Sequence, residues 1–238
     1  LKNKKVFFKP QNKHVYAAGI SPKPAKNYLP KWYKEMPAFH KMPNGNEAPT
    51  GIRCIPFLDS FTSGYIYELA CDVTIKHHGK DESTGEDLVS YTWAGDLRPI
   101  STRKEEFGTP NLFPNFDGYY NLEIHWNSFW EPKTPNGYST MYHHPNNRFD
   151  LPFHTMTGII DTDNWSIPGP VPFLIKKGFE GIITAGTPII QTTFIKRDNW
   201  ESFVDTFNEE EHFKTTYQVQ RKFIGGYKKA YWSRKNYT

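Results

Sequence analysis

Between residues 64 and 77 the side chains alternate in character almost without a break. Tyr65, Tyr67, Leu69, Cys71, Val73 and Ile75 fall on one side, with Glu68, Asp72, Thr74 and Lys76 mostly on the other. A two-residue period of aromatic and β-branched residues belongs to a half-buried strand, because successive side chains of an extended chain leave opposite faces. The polar run 79–87 then reads as a turn, and 88–94 as the returning strand of a hairpin. The alternation recurs over 121–130, where Leu122, Ile124, Trp126 and Ser128 oppose Glu123, His125, Asn127 and Phe129. Shorter strand candidates are 52–57, 137–143, 156–161, 171–175, 181–184 and 189–195. Strands of this length, separated by Gly/Pro turns, predict a mainly β fold: a sandwich, a jelly roll or a folded barrel.

The flanks differ from this body. Residues 1–50 carry Pro10, Pro22, Pro24, Pro30, Pro37, Pro43 and Pro49, which leaves room only for short pieces such as a strand over 5–8. This proline-rich stretch reads as an N-terminal arm. Trp32 and Tyr33 would anchor it by packing, or else serve as an exposed recognition element. Residues 51–197 form the β-body and 198–238 a helical, basic extension. Asp198 and Glu201 have capping-box spacing, and Trp200, Phe203, Val204 and Phe207 then share one helical face. Asn208 and Glu211 would cap a second helix, with Phe213, Tyr217, Gln220 and Ile224 on one side and Gly225-Gly226 at its end. From residue 213 onward there are seven Lys/Arg and no acid.

Composition adds limits. Aromatic residues make up 16% of the 238, enough for a sizeable aromatic-rich core. A net charge of +4 is mild and does not by itself argue for nucleic acid. No apolar run reaches the length of a membrane span, so no membrane association is expected. No long apolar stretch follows the lysine-rich start, so no secretory signal is read there. The chain begins at Leu1 rather than Met, which leaves room for residues upstream. Cys54 and Cys71 cannot make a disulfide framework or a four-thiolate zinc site, and read as small buried residues of a protein in a reducing compartment.

Three motifs occur in order: Pro135-Asn136-Gly137-Tyr138-Ser139, Gly158-Ile159-Ile160-Asp161-Thr162-Asp163, and Gly186-Thr187-Pro188-Ile189-Ile190-Gln191. Over roughly residues 133–197 they resemble the trimeric dUTPase and dCTP deaminase (β-clip) superfamily, in which a Gly-Val-Ile-Asp strand supplies the aspartate that activates water. That resemblance implies Asp161 as general base, with Asp163, Tyr138 and Gln191 around a nucleotide and Mg²⁺ as cofactor. The chain departs from the superfamily pattern in three places. Asn164 and Trp165 stand where a base-stacking Tyr follows the aspartate, no Ser-rich phosphate segment occurs near 143–147, and there is no Gly-rich C-terminal arm. Read from the residues alone, Asp161-Thr162-Asp163-Asn164 equally suits an Asx turn at a strand end.

A broader pattern comprises Cys54-Ile55-Pro56-Phe57-Leu58-Asp59, Thr62-Ser63-Gly64-Tyr65, Thr134 to Ser139 and Gly158 to Asp163. It resembles a family of proteins found in tailed-phage genomes. That resemblance implies a context, virion or host cytoplasm, and no activity.

Other chemistry is thinly supported. His125, His143, His144 and His154 lie close in sequence, but adjacent His143 and His144 on a strand face opposite ways, so no metal site is expected. His77-His78 reads as a solvated turn. Asp59 with Ser60, and Ser139 with the histidines, lack the elbow of a serine hydrolase, and no phosphate-binding glycine loop occurs. Arg221, Lys222, Lys228 and Lys229, interleaved with aromatics, could contact nucleic acid or dock onto a neighbouring subunit.

The expectation is therefore a non-enzymatic phage structural or assembly protein, without cofactor. It would act through contacts with copies of itself or with other virion proteins, with Trp32, Tyr33 and the basic tail as contact residues. The alternative is a dUTPase-like enzyme. Asp161 is expected to be a structural turn residue, and Phe203 and Phe207 to be buried against the body or a partner.

Overall fold

The computed structural model describes residues 4–102, 113–122, 124–165, 167–220 and 225–238. In chain order the first elements are β1 (Phe7–Pro10), α1 (Lys13–Ala18), β2 (Lys23–Pro24), α2 (Lys31–Lys34), β3 (Phe39–Lys41), β4 (Glu47–Pro49) and α3 (Ile55–Thr62). There follow β5 (Tyr65–Glu68), β6 (Val73–Lys80), β7 (Asp87–Trp93), β8 (Ile100–Thr102), β9 (Ile124–Asn127), β10 (Trp130–Lys133) and β11 (Tyr138–His143). The last are β12 (Phe153–Thr155), β13 (Gly158–Ile160), β14 (Pro170–Ile175), β15 (Gly181–Ile183), β16 (Pro188–Lys196), α4 (Glu209–Gln220) and α5 (Gly226–Ala230).

The fold is mainly β, and every described strand pair is antiparallel. The chain forms two compact units, Leu1–Ala25 with Gly64–Arg197, and Lys26–Ser63 with Asp198–Thr238. The boundary between them falls inside the stretch 1–50, whose first half groups with the larger unit and whose second half with the smaller.

The larger unit holds three sheets of three or more strands, ordered β13-β11-β16-β5-β2, β12-β14-β9-β8 and β15-β6-β7, together with the pair β1-β10. The alternation over 64–77 forms two strands rather than one. Tyr65–Glu68 pairs with β16, and the chain then turns through Leu69–Asp72 so that Val73–Lys80 pairs with β15 and β7. Leu69 N–H donates to the Thr187 carbonyl and Gly186 N–H to the Leu69 carbonyl, which fills the backbone needs of Leu69 at the start of the turn. His77 and His78 are thereby strand residues, not a turn, and His77 Nε2 lies 3.1 Å from Asp87 Oδ1 on the returning strand. The stretch 121–130 divides likewise. Phe129 takes φ 57°, the left-handed region, and the chain passes from β9 in the four-stranded sheet to β10 beside β1.

Gly64 is fixed by close approach. Its φ is +75°, and a Cβ there would lie 1.7 Å from the Thr192 carbonyl oxygen, so only glycine lets β5 meet β16. The core mixes isoleucines with aromatics: Val73, Ile75, Ile100, Ile124, Ile175 and Ile190 are sealed from solvent with Trp126, Phe153 and Phe173. Trp126 stacks on Phe173 with ring centroids 3.5 Å apart, meets Phe153 edge-on, and donates its indole N–H to Thr155 Oγ1.

The smaller unit corrects several expectations. Residues 52–57 are not a strand. Pro56 sits in the first turn of α3, where its missing N–H costs nothing, and Phe57 and Phe61 from that helix pack with Trp32 and Tyr33. Cys54 is exposed rather than buried; Cys71, in the larger unit, is half-buried, and both are free thiols. Residues 198–207 form no helix, and Trp200, Phe203, Val204 and Phe207 are 88%, 84%, 104% and 76% exposed. An apolar stripe this short gains too little by itself to cover the cost of helix nucleation. The second helix does form: Glu211 N–H donates to Asn208 Oδ1 at 3.1 Å, and three glutamates occupy its first turn. Among the described residues no helix is long and apolar enough to cross a membrane.

Candidate functional site around Asp161 and Asp163

β13 ends at Ile160, and the chain turns at once: Asn164 and Trp165 N–H groups both donate to the Asp161 carbonyl, at 3.0 and 2.9 Å. Thr162, fully buried, pins this turn from inside. Its hydroxyl lies 2.9 Å from that of Thr134 and 2.7 Å from that of Thr140. With Thr162 turned inward, the carboxylates on either side converge on one guanidinium. Arg197 Nη1 lies 3.2 Å from Asp161 Oδ1 and 2.9 Å from Asp163 Oδ1, and Nη2 closes on Asp163 Oδ2. This bidentate fork is the strong form of an Arg–carboxylate pair.

Two further contacts complete the cluster. Gly137, at φ +82°, presents its N–H to Asp163 Oδ2 at 2.8 Å, and its carbonyl accepts the Arg197 N–H at 2.8 Å. Ser139 donates its hydroxyl to Asp161 Oδ1 at 2.7 Å. Hydrogen bonding from Arg197, then from Gly137, pulls the Asp163 carboxyl down to about 2. The Asp163 side chain is 4% exposed, that of Asp161 59%. Asp163 is thus a buried anchor and Asp161 an open carboxylate with one oxygen already held.

Tyr138 joins them in part. Its backbone carbonyl accepts from Arg197 Nη1 at 3.2 Å, and the Lys4 ammonium lies 4.8 Å from its ring centre. Gln191 does not join. In the β11–β16 register it faces His143, four residues along β11 from the Ser139 beside Asp161, a separation of about 13 Å. It is buried, and its Oε1 accepts the Asn146 N–H at 2.8 Å, bracing the loop after β11. The resemblance placed Asp161, Asp163, Tyr138 and Gln191 around one ligand; the fold gathers the first three and sends the fourth to the far end of the strand.

The remaining candidates are dispersed. Tyr33 is buried in the smaller unit and Trp32 is 37% exposed over the same aromatic cluster. Lys228 and Lys229 lie exposed on α5, with Lys228 5.9 Å from the Trp232 ring centre. Arg221 and Lys222 lie outside the described residues. Asp59 accepts from Trp232 Nε1 at 2.9 Å and from Lys235 Nζ, while the Ser60 hydroxyl donates to the Phe57 carbonyl. The two are engaged separately. Among the described residues no three His, Cys, Asp or Glu side chains converge as metal ligands. His144 and His154 do stack, 4.8 Å apart, and burial pushes His144 down to about 4.

Two features escaped sequence reasoning. Arg197 follows β16 with no motif around it, and only the return of β16 beside β11 brings it to the aspartates. Glu131 lies just past the strand read over 121–130, yet it is 3% exposed, and its Oε1 has no hydrogen-bond partner among the described residues. Burial raises its pKa, against the pull of Lys9 and Lys133. A cleft of about 410 Å3 in the larger unit, lined by Gln11, Asn12, Arg98, Ser101, Asn127 and Phe129, shares no residue with the aspartate cluster.

No protein-family model matches this chain, and no curated protein matches it either.

Proposed function

We propose that the chain is a non-enzymatic structural or assembly protein of a tailed phage, working through contacts between subunits in the virion or in the host cytoplasm. In this reading the larger unit is a jelly-roll or β-clip-like body. The proline-rich N-terminal residues and the C-terminal residues reach neighbouring copies or other virion proteins. The observation that carries the reading is the run Trp200, Phe203, Val204 and Phe207, four large apolar side chains in one short segment, all exposed. Four large apolar side chains left exposed within eight residues are the kind of apolar exposure that marks interaction sites. The basic tail, including Lys228 and Lys229, adds a surface for nucleic acid backbone under the same reading. The test is whether the protein co-sediments with purified virions; its absence from virions and from assembly intermediates would defeat the proposal.

A dUTPase-like enzyme using Mg²⁺ is the second reading, favoured by the meeting of Asp161, Asp163 and Tyr138. Against it stand the engagement of Asp161 Oδ1 by Ser139 and Arg197 and the distance to Gln191. The expected result is no pyrophosphate release and no deamination with any dNTP and Mg²⁺. Turnover that disappears in Asp161→Asn, with the thermal midpoint unchanged, would promote the enzyme reading.

A further inference from the structure

Segment 198–211 joins two properties. Its apolar residues Trp200, Phe203, Val204 and Phe207 recur at the spacing of one helical face, yet it has no helix as far as Asn208. It also carries six carboxylates (Asp198, Glu201, Asp205, Glu209, Glu210 and Glu211) and no Lys or Arg. The N-terminal residues have the opposite character. Residues 1–34 hold nine lysines and no acid. Lys4, Lys5, Lys9 and Lys13 are exposed there, and between and beyond them Phe7 is 61% and Tyr16 68% exposed. One segment is thus acidic with uncovered aromatics, the other basic with uncovered aromatics.

Resting on the assembly reading above, we infer that residues 199–207 fold into a helix on docking against the lysine-rich β1–α1 surface of a second copy of this chain. The physical logic is coupled folding and binding. A nine-residue helix is marginal alone, but burying one apolar stripe supplies what local propensity lacks. As a helix the segment spans about 14 Å at 1.5 Å per residue, close to the length of the four-residue strand β1 at about 3.3 Å per residue. Carboxylates flanking the stripe would face lysines flanking Phe7 and Tyr16, which sets orientation and speeds encounter. Such a contact joins different patches, so it closes reciprocally into a dimer or propagates into a ring or chain.

The experiment uses the full chain, with sedimentation velocity and far-UV circular dichroism across a concentration series. The wild type is expected to associate, to gain helicity as it does so, and to weaken as salt is raised. Phe203→Ser with Phe207→Ser should weaken association by about 30-fold or more, as hot-spot aromatics do. Glu201→Lys with Asp205→Lys, and separately Lys5→Glu with Lys13→Glu, should each weaken it, and mixing these two charge-reversed proteins should restore it. Because the substituted side chains are exposed, an unchanged thermal midpoint checks that each variant folds. A wild type that stays monomeric overturns the inference, as does helicity that does not change with concentration. Association indifferent to all three pairs of substitutions overturns it too, by pointing to another interface. Co-sedimentation with virions in any of these cases leaves the assembly reading standing and removes only the helix docking.

Discussion

Aromatic residues meet opposite fates in two regions of this molecule. In the four-stranded sheet Trp126, Phe153 and Phe173 are sealed from water and in mutual contact. In the segment after Arg197, Trp200, Phe203 and Phe207 stand in solvent. The residues are of the same kind, and the spacing is regular in both places. What differs is the supply of neighbours. A strand with a two-residue period is braced by strands on either side, and the facing layer of side chains covers it. A stripe on nine residues has nothing within its own element to cover it. Periodicity states which face must be buried; only the fold supplies the surface that buries it.

The comparison can be broken at its strongest point by Trp126→Ala, which empties the sealed side. We expect a loss of about 3–5 kcal/mol in denaturant unfolding, the range for a large aromatic in a packed core. A loss under about 1 kcal/mol would show that the sheet is not packed as described. Gly64→Ala is expected to cost about 2–4 kcal/mol, from a strained backbone and a carbonyl clash at the meeting of β5 and β16. Substitution at Gly79, also at positive φ but with open space around its Cβ, should cost less, and this separates the clash from the strain.

Acid sharpens the contrast further, because the larger unit holds titrating groups that the fold has shifted. His144, pushed down to about 4, is neutral in the folded state where the unfolded chain already binds a proton. Its contribution is intact above the unfolded value of about 6.5 and is lost as pH falls toward 4. Asp163, held near 2, contributes fully above about 4 and is lost as pH falls toward 2. Both groups therefore lower the thermal midpoint in acid, with His143 and His154 acting in the direction of His144, Asp81 in that of Asp163, and Glu131 opposing them. Asp163→Asn should shrink the lower decline and His144→Gln the upper. A midpoint that stays flat from neutrality to pH 4 (about 2.5 units below the unfolded His value) would contradict the burial of His144.

The smallest effect belongs to the exposed side. Phe207→Ser should change the stability of the dilute, unassociated protein by no more than about 0.5 kcal/mol. A larger loss would mean that Phe207 is covered in solution.

Much of the sheet structure was legible because the alternation is local. The strand β11, the hairpin β6–β7 and the strand β16 lie close to where the pattern puts them. The divisions of 64–77 and 121–130 were not legible, since a strand that changes partners keeps the same alternation. Residues 52–57 misled because Ile52, Ile55 and Phe57 suit a strand as well as a helix, and Pro56 is tolerated in a helix only at its start. At the candidate site Asp161 and Asp163 could be found from the strand-end motif. Arg197 could not, because its role depends on the β11–β16 register, which no short stretch of sequence encodes.

The clasp of Arg197 on Gly137 and Asp163 also sets a reach. Arg197 is the last residue of the larger unit's chain, and its backbone and guanidinium are both held. The residues that follow start from that fixed point, and an extended chain covers at most about 3.5 Å per residue. The Trp200 backbone can then lie at most about 10 Å from the clasp and that of Phe207 at most about 35 Å. Within that radius the segment is present at a high local concentration; beyond it the concentration is zero. Releasing Arg197 would move the fixed point back along β16 and lengthen the chain beyond it, trading local concentration for range.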